Sequence, residues 1–406
     1  MVSKRILFLC GQYASPSAAN SICVKNLAEE VIKLGYEPFV LARGADYKGI
    51  YEEINGVKVW KIKGDTFGRV VSYFEQKKSF LLRLLFSIIQ FIRYSYVLWI
   101  YPITSKRDLA RMKKWSKRII EENKINIVTA TYGPYETIQA AVYLKKKYKS
   151  DLKVVTYHLD LLTNPSNESS IISQFKKHGA SRAMREEFAI VDRVLLPMTA
   201  PVMNDPKFQY VDFPLYIPSQ TDTYSSRNFY PSDCINVAIA GSLDKYNRNP
   251  LLFCRIIDKM PEICGKRVVL HIWGNTVGID FSGYKNVEYH GMASIEEVPI
   301  LLRQSDFLFN VGNKTSYRML PSKIFQMFAA KKPVIFLYSS PFDNSIPYFK
   351  KYGYTLFIPE FDGDFIENVE KVSSFIKHYY SKSLNISDTL FETSTPSYIA
   401  RKIITI

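Results

Sequence analysis

The chain has 406 residues, of which 47% are hydrophobic and 23% charged, so enough apolar surface is available to exclude an intrinsically disordered protein. At roughly 100–200 residues per domain, the length predicts two or three domains. The net charge of +16 is concentrated in residues 61–120, which hold 14 Lys and Arg against three acids and favour one anionic partner surface over a uniformly basic protein.

Buried strands alternate with amphipathic helices in the first half of the chain, which predicts a parallel sheet covered by helices. A strand at 5–10 leads through a loop of small residues into a helix at 20–34 and a strand at 38–42. The series resumes with a strand, helix, strand, helix and strand at 125–131, 135–148, 153–157, 181–190 and 193–197.

The stretch 201–234 contains five prolines and lacks helical or strand periodicity, and we interpret residues 216–232 as a domain connection. The alternation then restarts, with strands at 235–240, 268–273, 287–289, 307–311 and 333–338 and helices at 250–260, 295–303, 322–330 and 365–379. The fold class predicted is α/β, with two doubly wound Rossmann-like domains facing a cleft. The first domain is expected to span 1–215 and the second 233–406.

Cysteine usage and hydropathy predict the compartment. The five cysteines form no C-x-x-C pair, which argues against disulfides or a structural zinc site and favours a reducing environment. The first apolar run, residues 6–10, is too short for a signal peptide, and no apolar stretch approaches the roughly 20 residues of a membrane span. We expect a cytoplasmic protein, soluble or peripheral at the inner face of the cell membrane.

Residues 80–101 predict a lopsided helix within a basic insertion at about 66–120. Arg83, Ser87 and Gln90 fall on its narrow polar stripe, and large apolar side chains cover the opposite side. Two interpretations stay open: the helix lies in the interface of an anionic bilayer with flanking lysines on the headgroups, or it is buried in the domain beside a solvated basic segment.

The first loop, residues 11–20, follows a strand and opens a helix. Its small residues, including Gly11 and Ser17, let a ligand approach the backbone, and the helix start offers N–H groups to an anion. The loop does not match G-x-G-x-x-G, which disfavours a dinucleotide site. An ordinary strand-to-helix loop capped by Asn20 is the alternative.

Polar side chains also follow two later strands of the first half. His158 and Asp160 are two positions apart and could face one pocket, holding or deprotonating a hydroxyl group. A packed imidazole and a capping carboxylate are the alternative. Tyr132 and Tyr135 follow the neighbouring strand and are candidates for stacking on a ligand.

In the second half, Gly241 and Ser242 end a strand, and Arg248 precedes the next helix. This arrangement suits a diphosphate because a guanidinium and backbone N–H groups both favour phosphate oxygens, although a solvated Arg248 would fit as well. Ser322 and Lys323 follow Pro321 and are predicted in the first turn of a helix, where an anionic ligand would offset the unfavourable position of a lysine.

Five motifs follow one another between 235 and 340: G-S…R-N-P, W-G-N at 273–275, Y-H-G at 289–291, S-D-F at 305–307 and P-S-K-I-F-Q…A-A-K-K-P-V-I at 321–335. Their order resembles GT-B glycosyltransferases, and is most similar to the retaining family-four type of surface polysaccharide biosynthesis. The resemblance implies transfer of a sugar from a nucleotide diphosphate sugar, expected to be a UDP-sugar, to a saccharide acceptor that we expect to be lipid-linked. It implies no metal and no other cofactor, with retained stereochemistry.

The resemblance also implies residue roles: cations at the diphosphate, the backbone around residue 290 at the base, and Gln326 and Arg318 in place of the two acids of the family's E-x7-E pair. The donor-binding set is Gly11, Gly241, Ser242, Arg248, Gly274, His290, Gly291, Met292, Arg318, Ser322, Lys323 and Gln326. The acceptor-binding set is Ser17, Tyr132, Tyr135, His158 and Asp160, and the catalytic set is His158, Asp160, Arg248 and Lys323.

Two other functions stay open: a nucleotide-sugar epimerase of the same fold, and a non-catalytic subunit that binds an anionic surface. No nucleic-acid motif accompanies the basic segment, so we expect no nucleic-acid partner. No metal site is predicted either. The five histidines lack ligand spacing, and the D-x-D sequence at 362–364 lies directly before a helix, where capping is the simpler interpretation.

Overall fold

The computed structural model describes residues 4–15, 19–44, 51–63, 80–160, 170–218, 228–361 and 363–406. The chain divides into two units, the first formed by Met1–Pro214 and Thr393–Ile406 and the second by Leu215–Glu392. The sequence had assigned the chain's last residues to the second domain, whereas they belong to the first unit. The middle of the predicted connection, residues 219–227, lies outside the described residues.

The secondary structure alternates along most of the chain. The described strands are β1 Arg5–Cys10, β2 Glu37–Gly44, β3 Tyr51–Ile54, β4 Val57–Lys63, β5 Ile127–Thr131, β6 Lys153–Tyr157, β7 Arg193–Pro197, β8 Phe208–Val211, β9 Cys234–Ala240, β10 Leu243–Asp244, β11 Arg267–Trp273, β12 Thr276–Val277, β13 Val287–Gly291, β14 Phe307–Val311, β15 Val334–Tyr338 and β16 Thr355–Pro359. The described α-helices are α1 Ala19–Lys33, α2 Phe80–Ile100, α3 Lys106–Asn123, α4 Tyr135–Tyr148, α5 Ser170–Ile190, α6 Leu251–Lys259, α7 Glu297–Gln304, α8 Ile324–Ala329, α9 Ile346–Tyr352, α10 Phe365–Tyr379 and α11 Pro396–Ile404.

The first unit is built on an eight-stranded sheet in the order β3-β4-β2-β1-β5-β6-β7-β8. All its neighbouring strands pair in parallel except β3 and β4, which form an antiparallel hairpin. Strand β1 carries Ile6, Leu7 and Phe8 with no exposure at all, as expected for a central parallel strand covered by helices on both faces.

Helix α11 packs against α1 and completes the first unit. Asp212 donates its backbone N–H to the carbonyl of Thr393 at 3.2 Å, and the guanidinium of Arg193 donates to the carbonyl of Thr405 at 3.1 Å. These bonds fasten the returning chain beside β7 and β8. The sequence did not predict α11, and its contacts are the physical reason that the predicted domain boundary needs this correction.

The second unit is a six-stranded parallel sheet in the order β13-β11-β9-β14-β15-β16, accompanied by the short parallel pair β10–β12. Counted within the unit, this order is 3-2-1-4-5-6, which is the doubly wound Rossmann order. Phe253 of α6 stacks on Phe309 of β14 with ring centroids 4.0 Å apart, in the core beneath the sheet. In such sheets ligands bind outside the carboxyl ends of the strands where the order reverses, here between β9 and β14.

Candidate functional site

Residues from three chain segments meet where β9 and β14 end. Gly241 and Ser242 follow β9, Val311 ends β14, and Arg248 and Lys323 come from the loops beyond. A Cβ atom on Gly241 would lie 3.4 Å from Nη1 of Arg248 and 3.9 Å from Nζ of Lys323. The structure therefore brings together, at one strand end, the two cations that the sequence proposed for the diphosphate.

Neutral oxygens hold the guanidinium of Arg248. Its Nη1 donates to the carbonyl of Ser242 at 3.0 Å, its Nε to the carbonyl of Val311 at 3.1 Å, and its Nη2 to Oδ1 of Asn310 at 3.4 Å. Burial lowers the pKa of Arg248, while Asp244 and Asp343 act in the opposite direction. No carboxylate in the described part of the chain forms an ion pair with Arg248, so its positive charge is only partly offset, and the three oxygens fix its orientation.

The ammonium group of Lys323 has no hydrogen bond or ion pair to any described residue. Burial, and then the neighbouring charge of Arg248, lowers the pKa of its ammonium group. Two cations that share a partly desolvated position without a direct carboxylate partner among the described residues repel each other, and an anion between them would relieve that repulsion. The arrangement suits a phosphate or diphosphate group.

Asp343 is a buried acid that the sequence analysis missed. Its Oδ1 accepts the backbone N–H of Ser345 at 2.8 Å, and its Oδ2 has no partner among the described residues. Burial raises the pKa of this carboxyl group. A Cβ atom on Gly312, which follows β14, would lie 2.6 Å from Oδ2, so a larger residue there would force the Asp343 carboxyl group to move. Gly312 could have indicated this position from the sequence, because it directly follows a correctly predicted strand.

Gly274 allows the W-G-N segment to pack onto Gly241. Its φ is +139°, and a Cβ atom there would lie 2.0 Å from the carbonyl oxygen of Gly241, a position that only glycine permits. The N–H of Gly274 donates to the carbonyl of Gly291 at 2.7 Å, and that of Gly241 to the carbonyl of Trp273 at 2.8 Å. The ends of β9, β11 and β13 therefore meet at one edge.

The remaining residues of the predicted donor set surround this edge less closely. Helix α8 begins at Ile324, so Ser322 and Lys323 precede it rather than forming its first turn, which corrects the predicted helix of 322–330. Ser322 is buried and Gln326 is half-buried, whereas Arg318 and Met292 are exposed. The turn that precedes α8, rather than the helix itself, therefore positions Lys323.

The first unit places glycine at the corresponding strand ends. A Cβ atom on Gly11, after β1, would lie 2.4 Å from the carbonyl oxygen of Gly133, after β5, so the two loops are in backbone contact. Asn20 does not cap α1, which begins one residue earlier, and its Nδ2 donates to the carbonyl of Tyr132 at 3.3 Å. Ser17 lies outside the described residues.

His158 is fully buried, and its Nε2 lies 2.6 Å from Oε1 of the equally buried Glu187. Tyr135 is buried as well and donates its hydroxyl to Oε2 of Glu187 at 3.1 Å. Both side chains therefore belong to the core. Because a ring must be accessible to stack on a sugar, this burial corrects the assignment of Tyr135 to acceptor stacking and favours the packed imidazole for His158.

Tyr132 and Asp160 are the more accessible members of the predicted acceptor set. The Tyr132 ring stacks on His158 at 5.9 Å with an interplanar angle of 26°. Asp160 follows β6 and forms no ion pair with a described residue, and burial raises its pKa. A carboxylate that binds its proton more tightly than usual, beside a half-buried tyrosine, suits contact with a hydroxyl.

A second cluster lies on the face of β11 and β13 near their ends. His271 lies 3.0 Å from His290, nitrogen to nitrogen, and the Trp273 ring stacks on His290 at 4.2 Å. Burial, followed by the neighbouring His290, lowers the pKa of His271 to about 4. The side chain of His290, whose backbone was expected at the nucleotide base, is thus engaged with other residues of the sheet.

Helices α2 and α5 expose large apolar side chains. Trp99 and Phe91 of α2 are 74% and 71% exposed, and Ile171 of α5 is 80% exposed. Lys176 of α5 lies over the Tyr94 ring of α2 at 5.6 Å, so the two helices share this surface. The buried alternative for α2 is therefore not what the described part of this helix shows. None of the described helices combines the length and hydropathy of a membrane span.

No family model and no curated protein matches the sequence, but solved structures resemble it. WaaG, a glycosyltransferase involved in lipopolysaccharide biosynthesis, aligns with a TM-score of 0.54 at 12% identity over 99% of this chain and 100% of its own. Sucrose-phosphate synthase from Thermosynechococcus elongatus aligns with a TM-score of 0.55 at 10% identity over 98% of this chain and 94% of its own. An alpha-glucosyltransferase in complex with UDP and a 13-mer DNA gives a TM-score of 0.51 at 12% identity over 98% and 96%.

At these identities the likeness concerns the fold. Both units are doubly wound α/β structures, and the matched enzymes align over nearly the whole chain. The chain has the GT-B fold, and the fold class predicted from the sequence is confirmed.

Proposed function

We propose that the protein is a glycosyltransferase that moves a sugar from a nucleotide diphosphate sugar, with UDP as the nucleotide, to a saccharide acceptor. The observation that carries this proposal is the pair of cations, Arg248 and Lys323, which lie against Gly241 without a direct carboxylate partner among the described residues. Glycosyltransferases of the same fold, one of them solved with UDP, support the substrate class.

The cation pair would act on the leaving group. As the bond between sugar and diphosphate breaks, negative charge grows on the departing phosphate. A guanidinium held by three oxygens and a nearby ammonium stabilise that charge without having to reorient. In this mechanism the two side chains take the part that a divalent cation plays elsewhere, so transfer needs no metal.

The acceptor would contact the first unit through Asp160 and Tyr132. Asp160 would hydrogen-bond the attacking hydroxyl, and the exposed part of the Tyr132 ring would pack against the sugar ring. His158 would act indirectly, since its ring supports Tyr132 from the core. With retained stereochemistry the leaving phosphate itself accepts the proton of the acceptor hydroxyl, so no strong base is required of the protein.

A lipid-linked acceptor would explain the surface of α2 and α5. Trp99, Phe91 and Ile171 are apolar and exposed, and Lys106, Arg107 and Lys114 of the adjoining α3 have no acidic partner in the described ranges. Apolar rings that enter the headgroup region beside basic side chains bind anionic bilayers peripherally, at about 1 kcal/mol per basic residue near the surface. We place the protein at the inner face of the membrane, where such an acceptor would be presented.

Donor binding tests the proposed site. UDP and a UDP-sugar are titrated calorimetrically into the wild type, Arg248→Ala and Lys323→Ala, with magnesium present or chelated. We expect each substitution to weaken binding at least about tenfold, which is about 1.4 kcal/mol, and chelation to change nothing. Lys285→Ala is the matched control, because Lys285 is exposed and precedes the amino end of β13.

Unchanged affinity in both variants would remove the site assignment, and loss of binding on chelation would remove the metal-independent mechanism. An epimer formed from the UDP-sugar alone, with no acceptor present, would support the epimerase instead.

A further inference from the structure

Three possible metal ligands converge on the outer strands β11 and β13 of the second unit. Nδ1 of His271 lies 3.0 Å from Nε2 of His290 and 3.4 Å from Oε2 of Glu288, and the last two atoms are 3.7 Å apart. Two imidazoles and a carboxylate are ligands that zinc and its neighbours in the first transition row accept. The residues lie 17 and 19 positions apart in the sequence, so their spacing gave no sign of this group.

The strand register explains why these side chains meet. His271 pairs directly with Glu288 across the two parallel strands, and the pairing slips by one residue before Trp273, which pairs with Gly291. The slip makes His290 the extra residue of β13 at this irregularity, and such irregularities re-aim a side chain. Because β13 is the edge strand of the sheet, the cluster has one side open to solvent.

A neighbour fixes the protonation of the buried ligand. Nε2 of His271 lies 3.0 Å from Oδ1 of Asn236, whose Nδ2 donates to the carbonyl of Pro231 at 2.9 Å. Since the amide group is oriented by its own donor, Nε2 of His271 must carry the proton, and Nδ1 presents its lone pair to the cluster. In protein metal sites, a ligating histidine regularly donates its other ring N–H to a neighbouring oxygen, as His271 does here.

We propose that His271, Glu288 and His290 bind a first-row transition-metal dication such as Zn²⁺. The three interatomic distances define a triangle whose corners all lie about 2.0 Å from a common centre, and zinc bonds nitrogen and carboxylate oxygen at about 2.0–2.2 Å. The open side of the cluster leaves a fourth position for water. This site does not depend on the proposed transferase activity.

The metal-free chain holds the cluster together by a hydrogen bond. The two imidazole planes are inclined by only 18°, and His290 donates from Nε2 to Nδ1 of His271. On metal binding, the proton of His290 would move to its Nδ1, so that Nε2 presents its lone pair to the ion. Trp273 stacks on the His290 ring at 4.2 Å and supports one face of it.

The test measures metal binding by the full chain at neutral pH, without nucleotide. Equilibrium dialysis gives the number of Zn²⁺ ions bound and their affinity, and Co²⁺ serves as a spectroscopic probe of the coordination. We expect one Zn²⁺ per chain, with the affinity lowered at least about tenfold in both Glu288→Gln and His290→Gln, because each loses a direct ligand. Both residues lie at the surface, so these variants should fold, and thermal unfolding without metal verifies it.

His378→Gln is the matched control, since His378 is exposed on α10, beside Lys382 and away from any such group. It should bind zinc as the wild type does. Wild-type protein that binds no zinc would overturn the proposal. So would zinc binding that persists unchanged in the Glu288→Gln and His290→Gln variants, which would assign the ion to other groups such as the exposed thiol of Cys264.

Discussion

Lys323 and Arg248 both lie against Gly241, with the ammonium and the guanidinium each within 4 Å of the place that a Cβ atom would occupy there. Two cations so close to one residue repel each other, and burial adds to the cost. The unliganded protein therefore tolerates a local instability that an anion would remove, a common trade between stability and function.

Replacing Lys323 with Met should stabilise the unliganded protein, by roughly 0.5–2 kcal/mol at neutral pH. The pKa of Lys323 is lowered in the folded state, so the unfolded chain binds more protons, and wild-type stability should rise with pH toward the ordinary lysine pKa of about 10.4. Lys323→Met should lack this rise. Urea unfolding at neutral and alkaline pH measures both effects, with Lys285→Met as the exposed control, and a less stable Lys323→Met variant would contradict the prediction.

Gly241→Ala should weaken UDP binding about tenfold, because the added methyl group would occupy the place that both cations face. Fold stability should change little, since the nearest atoms lie 3.4 Å or more from that Cβ position, which is ordinary van der Waals contact. Gly283→Ala is the control, as a Cβ atom there meets nothing within 4 Å. Equal UDP affinities of the two variants, measured calorimetrically, would show that no ligand group approaches Gly241.

Asp160→Asn should remove a pH dependence of stability. Burial raises the pKa of Asp160 in the folded state, so the free energy of unfolding falls as pH rises from the ordinary aspartate pKa of about 3.9 through the raised value. The variant should gain stability over the wild type at neutral pH but not below about pH 4. Chemical unfolding at both pH values decides this, and a difference that does not change with pH would refute the prediction.

Glu187→Ala should cost about 3–5 kcal/mol, because it leaves the buried His158 and Tyr135 without their shared partner. Tyr135→Phe removes one hydrogen bond to a carboxylate and should cost about 1.5–3 kcal/mol. Under folding conditions Tyr135→Phe should keep the wild-type KM for the acceptor. A raised KM with unchanged stability would return Tyr135 to the acceptor site.

Anionic vesicles should bind the protein through α2 and α5. Replacing Trp99 and Phe91 by Ser should abolish sedimentation with vesicles of phosphatidylglycerol and phosphatidylcholine, and added salt should weaken wild-type binding because basic side chains contribute. Phe361→Ser controls for the loss of an exposed aromatic in the second unit. Vesicle binding that survives the double substitution would indicate another surface.

The central strands could be predicted to the residue. β1, β6 and β14 occupy the predicted stretches 5–10, 153–157 and 307–311, because strands buried on both faces need continuous apolar runs bounded by turns. Peripheral elements were missed. The β3–β4 hairpin turns at Asn55-Gly56, with φ of 52° and 76°, and this dipeptide is a type I′ signal that could have identified it.

Tertiary packing overrode local signals elsewhere. The helix predicted at 181–190 begins earlier, at Ser170. Gly179 lies inside this helix, where a Cβ atom would lie 2.8 Å from the carbonyl oxygen of Tyr101, so glycine allows the close approach. Helix α3 was not predicted, although its N-cap Ser105 accepts from the N–H of Asp108, a spacing that the sequence displays.

The candidate site likewise contains residues that the sequence could identify and residues that it could not. Gly241, Arg248 and Lys323 stand in linear motifs and could be found from the sequence. Asn310 and the pairing of His271 with His290 depend on which strands are neighbours, and strand order cannot be read from spacing along the chain.

The return of α11 to the first unit bears on how the protein forms during translation. The second unit is one continuous segment, Leu215–Glu392, whereas the first lacks a helix until residues 393–406 have left the ribosome. Nascent domains usually fold from the N-terminus onward. Here the second unit, although synthesised later, would complete its fold before the first. Until α11 is synthesised, the surface of α1 that it covers would stay exposed. A chaperone that recognises exposed apolar helices would find its substrate in that interval.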